Sequence, residues 1–143
     1  MKTRTGLLAL AALLLLAAAP TEKQIADDKE KMAGTYKLFI LEINGKSIDA
    51  DQIRTFEVKV ARDTIAIKAN ANERASTYRI DPTKDPKTID LVWQGKTTLG
   101  IYSISGEKLK LCLAAEGSKK RPNDFETKRG SNWTYFNLLR EKR

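Results

Sequence analysis

The sequence contains no histidine and a single cysteine, Cys112. Without histidine it lacks the commonest general base, the commonest metal ligand and every His-dependent triad. One cysteine excludes an intramolecular disulfide and any Cys-rich zinc site. The carboxylates do not fill the gap. Asp49 with Asp51 and Asp81 with Asp85 are close pairs, but neither has the glycine-centred spacing of a calcium loop. Nothing in the pattern aims either pair at a cleft as a glycosidase acid/base pair requires, so both read as surface groups. No catalytic residue, no metal and no cofactor is therefore expected, and the chain reads as non-enzymatic.

Long apolar runs are scarce too. The one present is Leu7–Ala19, preceded by Lys2 and Arg4 and followed by Pro20. It falls short of the roughly 20 residues that span a bilayer. A short basic start, an apolar stretch and the small residues Ala17–Ala19 are the marks of a secretory signal peptide, residues 1–19, with a cut expected near Ala18. The expected location is periplasmic or secreted, with no stable membrane insertion after cleavage. Without Lys2 and Arg4 the remainder carries 24 basic and 18 acidic residues. That excess could favour anionic surfaces, but lysines and acids alternate along the chain, and nucleic acid is not expected without an aromatic-basic binding motif.

What the sequence has in quantity is short alternating segments. Lys87–Ala114 reads as three antiparallel strands. Ile89, Leu91 and Trp93 alternate with polar or small neighbours, as do Leu109, Leu111 and Leu113. Successive strand residues point to opposite faces, so each segment has one buried face. Gln94-Gly95 and Ser105-Gly106 supply turns. Gly100 lies inside the middle segment, where Gly100, Tyr102 and Ile104 share one face, and marks a bulge, a bend or a close backbone approach. Elsewhere, Glu22–Ala33 is polar and helix-permissive up to Gly34. Strands are predicted over Thr35–Ile43, Arg54–Ala61, Thr64–Asn70, Ala75–Asp81 and Asn132–Arg140, and Glu116–Ser131 is read as a long loop. About eight short strands joined in succession predict an all-β, antiparallel up-and-down β-barrel behind a short N-terminal helix. The expected division is a polar leader at 20–33 and a barrel domain at 34–143.

Several blocks together resemble a known family. They are Gly34-Thr35-Tyr36-Lys37 with Leu41-Glu42-Ile43-Asn44-Gly45-Lys46, then Ile89-Asp90-Leu91, then Leu99-Gly100-Ile101-Tyr102 with Leu109-Lys110-Leu111-Cys112, then Arg121-Pro122 with Phe125, and finally Leu139-Arg140-Glu141. In this order they resemble the small exported lipocalin-like domain of unknown function that is abundant in planctomycete-type bacteria. The resemblance implies a secreted or periplasmic barrel and brings no catalytic residues. It also implies a structural plug at the closed end, with Tyr36 where family members usually carry Trp, and Arg140 stacked over its ring.

Candidate ligand-binding residues are Trp93, Tyr102, Arg121, Phe125 and Trp133, each with a purely structural alternative. The aromatic side chains could line a pocket or fill the core. Arg121 and Phe125 could bind a ligand from the long loop, or form a lid that packs Phe125 onto the barrel rim while Arg121 bonds backbone carbonyls. Cys112 shares a strand face with Lys108 and Lys110, which could lower its pKa; the alternative is a packing cysteine. Two functions are carried forward. One is a monomeric barrel that binds a small, partly apolar molecule in its mouth. The other is a structural or protein-interaction module, with a filled barrel and a protein partner at an outer face or at loop 116–131.

Overall fold

The computed structural model describes residues 18–142, so most of the segment read as an export signal lies outside the described residues. Among those described, no helix is long and apolar enough to cross a membrane. Helix α1 (Glu22–Met32) opens the domain. Its start is a capping box: the Thr21 hydroxyl accepts from the Gln24 amide at 3.1 Å, and the Gln24 side chain accepts from the Thr21 amide at 2.9 Å. Ile25, Asp28 and Met32 fall on one face at helical spacing and turn inward.

Strand β1 (Gly34–Ile43) follows, then the stub β2 (Lys46–Ser47), the single turn α2 (Ala50–Ile53), and β3 (Glu57–Val60), β4 (Thr64–Ala69) and β5 (Asn72–Asp81). The meander is β6 (Lys87–Trp93), β7 (Lys96–Ser105) and β8 (Lys108–Leu113), and β9 (Thr134–Arg140) ends the sheet. Every neighbouring pair is antiparallel, and β9 pairs back onto β1. With β2 only a stub beside β1, the result is a closed eight-stranded up-and-down barrel. Closure removes the unpaired edges that an open sheet would expose.

Three strand starts move by two or three residues from their predicted places, each for a local reason. β3 starts at Glu57 because Arg54 caps α2 with a backbone still in the helical region, and the Phe56 amide bonds back to the Ile53 carbonyl. β5 begins at Asn72, three residues early, because Asn70 adopts a φ of 56° and turns the chain in two residues. β9 begins at Thr134 because Asn132, with a φ of 56°, gives its amide to the Asn44 side chain.

The inward face is continuous around the barrel. Tyr36 and Leu38, Val58 and Val60, Ile65 and Ile67, Tyr78 and Ile80, Ile89 and Leu91, Tyr102, Leu109 and Leu111, and Phe136 and Leu138 form one core with Met32 of α1. The helix thus shares the barrel's core. Met32 and Tyr36 are completely buried, and full burial of such a side chain stabilises by about 1.5–3 kcal/mol. In β1 the inward set changes parity. Leu38 pairs with Leu138 and Ile40 with Asn137, which leaves Phe39 in a bulge, 68% exposed on the outer surface. Gly100 is a close backbone approach: a Cβ there would lie 2.5 Å from Leu113 Cδ2 and 2.8 Å from the Cys112 carbonyl oxygen.

Candidate functional site

The two ends of the barrel are built differently. At the end covered by α1, polar groups pair off one by one. The Tyr36 hydroxyl donates to the Met32 carbonyl at 2.7 Å and accepts from Arg140 Nη2 at 2.9 Å. The Arg140 guanidinium carbon lies 5.4 Å from the Tyr36 ring centroid, and Nη2 also donates to the Lys31 carbonyl. Asp28 is buried under the helix and accepts from both Tyr102 Oη and Lys87 Nζ, each at 2.7 Å. Burial by itself would raise the pKa of Asp28, but those two bonds outweigh it and hold the carboxyl below its ordinary value. Burial, reinforced by the neighbouring Asp28 carboxylate, pushes the Tyr102 phenol far up, so it stays protonated as the donor. Lys29 pairs with Asp63 at 3.0 Å and lies 4.9 Å from the Tyr78 ring centroid.

The opposite end is open. Ile65, Ile67, Leu91, Leu113 and Phe136 line a cavity of about 270 Å³, together with the hydroxyl residues Ser76, Thr98 and Thr134. Two charged residues, Arg74 and Glu116, stand at its rim. The Arg74 guanidinium lies 4.0 Å from the Trp93 ring centroid and donates from Nη2 to Glu116 Oε2 at 2.6 Å. Lys96 Nζ approaches the other Glu116 oxygen at 3.4 Å. The Glu116 carboxyl is held below its ordinary pKa chiefly by the Arg74 bond. The roomier depression beside Glu107, Arg140 and Glu141 lies outside the barrel wall at the closed end. It is bordered by charged groups, which makes it a poorer site for a partly apolar molecule than the mouth.

The loop from 114 to 133 forms a strap along the outer wall. Ile101, Cys112 and Tyr135 are buried on that wall, and Ile40, Phe125 and Trp133 pack against them. The Phe125 and Tyr135 rings meet edge to face at 6.5 Å. Arg121 Nη1 donates to the carbonyls of Ile89 at 3.1 Å and Gly100 at 2.8 Å. It also lies 2.7 Å from Asp90 Oδ1, yet that oxygen makes no directed hydrogen bond. The nitrogen's protons are aimed at the two carbonyls, so Asp90 contributes charge alone. The strap's far end is stitched to the β1–β2 turn: Asn44 Oδ1 accepts from the amides of Gly130 and Asn132, and Thr127 bridges Gly45 and Glu42.

The five candidate ligand-binding residues therefore do not converge. Trp93 stands at the open mouth and Tyr102 is buried at the closed end, while Arg121, Phe125 and Trp133 belong to the outer wall. The strap is not a lid on the mouth. It covers the wall, because Arg121 finds its acceptors where Ile89 opposes Gly100. Of its two readings Cys112 follows the packing cysteine and not the lysine-activated thiol: it is fully buried, and burial pushes its pKa up to about 12. Lys108 and Lys110 share its strand face, but the strap separates Cys112 from water. The mouth residues that the sequence reading missed are Arg74, Glu116 and the inward hydroxyls. The predicted strand starts at Ala75, one residue past Arg74, although a spacing of two from Ser76 and four from Tyr78 puts all three on one strand face once β5 is extended.

Comparison with known proteins adds no further constraint, since no protein-family model, curated protein or solved structure matches the chain.

Proposed function

We propose that this chain is a non-enzymatic, exported lipocalin-like barrel that holds a small, partly apolar molecule in its open mouth. The observation that carries the reading is the cavity between Ile65, Leu91, Leu113 and Phe136, whose apolar walls are interrupted by the hydroxyl residues Ser76, Thr98 and Thr134 and by the charged pair Arg74 and Glu116. Ligand sites have this character: mostly apolar walls with a few placed polar groups. A dry cavity of about 150 Å³ accommodates benzene. In the same proportion, about 270 Å³ accommodates a molecule of about ten non-hydrogen atoms. The resemblance to exported lipocalin-like domains points the same way.

The competing reading, a protein-interaction module working through Arg121 and Phe125, loses support from their geometry. Both side chains are engaged with the wall, and replacing them would disturb the fold before it removed a contact surface. The test is native against denaturing mass spectrometry of the protein isolated from its own exported fraction, beside a Ser76→Phe variant that obstructs the cavity. An additional mass on the native wild type, absent after denaturation and absent from the variant, is expected. A bare chain mass in every case would overturn the reading.

A further inference from the structure

We infer that the mouth selects a small carboxylic acid: the apolar chain enters the cavity, and the carboxylate takes the Arg74 guanidinium from Glu116. This rests on the mouth being a binding site, as proposed above, and adds the chemical class of what it binds.

The rim provides the reasons. Arg74 and Glu116 are the charged residues that line the cavity. Arg74 is held against the Trp93 ring at 4.0 Å, which orients its guanidinium while an edge reaches a carboxylate oxygen at 2.6 Å. A guanidinium presents donors in a flat fork that matches a carboxylate. Glu116 demonstrates that a carboxylate fits there. It is also replaceable. The Arg74 and Glu116 side chains are 44% and 29% exposed, and ion pairs so open to water contribute little. The Glu116 backbone is fixed, with the Ala114 amide bonded to Leu99 O and the Gly117 amide to Thr97 O. Only its side chain would swing, and Lys96, already 3.4 Å from one of its oxygens, would retain it. Charge balance favours the same class. Two cations, Arg74 and Lys96, share one carboxylate at this rim. One incoming anion completes the balance, whereas a cation would meet repulsion and a neutral molecule would leave it unchanged.

The test compares octanoate with 1-octanol, two probes of nearly equal chain volume that differ in charge. Both are titrated at neutral pH into the purified protein by calorimetry and by following the two tryptophan indole N–H resonances. Octanoate is expected to bind about tenfold more tightly than octanol, the lower end of what a charge-assisted hydrogen bond provides. The Trp93 signal should shift and that of Trp133, on the outer wall, should not. Arg74→Gln should bring octanoate down to the affinity of octanol and leave octanol unchanged. Glu116→Gln, which removes the competitor and leaves Arg74 in place, should tighten octanoate alone, and it decides the matter should Arg74→Gln fold poorly. Equal wild-type affinity for the two probes, or loss of both in Arg74→Gln with an unchanged melting temperature, would overturn the carboxylate assignment and leave the cavity reading intact. Binding of neither probe, with Trp93 unmoved, would sink both.

Discussion

The closed end and the mouth are made from the same eight strands, and they differ in what each strand points inward at each level. On β5, Ser76 faces the mouth and Tyr78 the closed end; on β7, Thr98 faces the mouth and Tyr102 the closed end; on β9, Thr134 precedes Phe136 and Leu138. Large side chains and the Met32 of α1 fill one end, while small hydroxyl residues leave about 270 Å³ at the other. The polar groups follow the same division. At the closed end Asp28, Tyr36, Lys87, Tyr102 and Arg140 are bonded to one another or to the helix backbone, most of them away from water. At the mouth the Arg74–Glu116 pair stands half in solvent. A buried polar group left unpaired is expensive, whereas a half-exposed one can change partners cheaply. One end is thereby suited to holding the fold and the other to exchanging contacts.

The most direct way to break this comparison is to remove volume from each end. Met32→Ala should cost about 3 kcal/mol, because a fully buried side chain between the helix and the barrel leaves a cavity that cannot relax. Ile67→Ala, on the cavity wall, should cost about half as much, since part of its side chain already borders open space. Urea unfolding of the two variants measures the difference, and equal losses would mean that the ends are equally packed. Gly100→Ala should come next, at about 2 kcal/mol, because the added carbon meets the Cys112 backbone and must displace β8 at the boundary between the two ends.

Asp28→Asn sharpens the comparison through pH. Asp28 has a depressed pKa in the folded protein. Its stabilising contribution is therefore present above its unfolded pKa of about 3.9 and lost as pH falls through the lower folded value. At neutral pH the variant should be less stable by about 2 kcal/mol, the scale of a hydrogen bond to a charged group. Its deficit should shrink as the pH drops below about 4. A deficit that stays constant down to pH 2 would show that shape at Asp28 matters and its charge does not.

Much of this architecture was legible from the sequence, because strand alternation is a local property. Ile89 and Leu91, with Leu109 and Leu111, turn inward as their spacing requires, Gln94-Gly95 turns the chain, and Gly100 marks a close approach. The bulge in β1 was not legible. The run Leu38-Phe39-Ile40-Leu41 is apolar throughout, so no period shows which residue is extra. Asp28 was equally hidden, since its partners Lys87 and Tyr102 lie 59 and 74 residues further along. The cover over Cys112 comes from the strap, and a strand's periodicity says nothing about what a distant loop lays over its outer face. The mouth was half legible: Trp93 was picked out, but its partner Arg74 came to light only with the pairing of β5 to β4.

The smallest expected effect on stability is at the mouth, and it separates room from looseness. Ser76→Leu replaces a buried hydroxyl that borders the cavity with an apolar side chain large enough to enter it. If the mouth is simply empty volume in a well-ordered barrel, filling it should raise stability by about 1 kcal/mol through buried apolar area, and the binding of octanoate should fall. If the small residues were instead needed for strand packing, the added carbons would strain β5 against β4 and β6 and lower stability. Thermal unfolding and octanoate titration of the same variant read both quantities. A gain in stability together with a loss of binding would mean that the protein gives up packing at this end to keep a space. A loss of both would mean that Ser76, like Gly100, serves the wall.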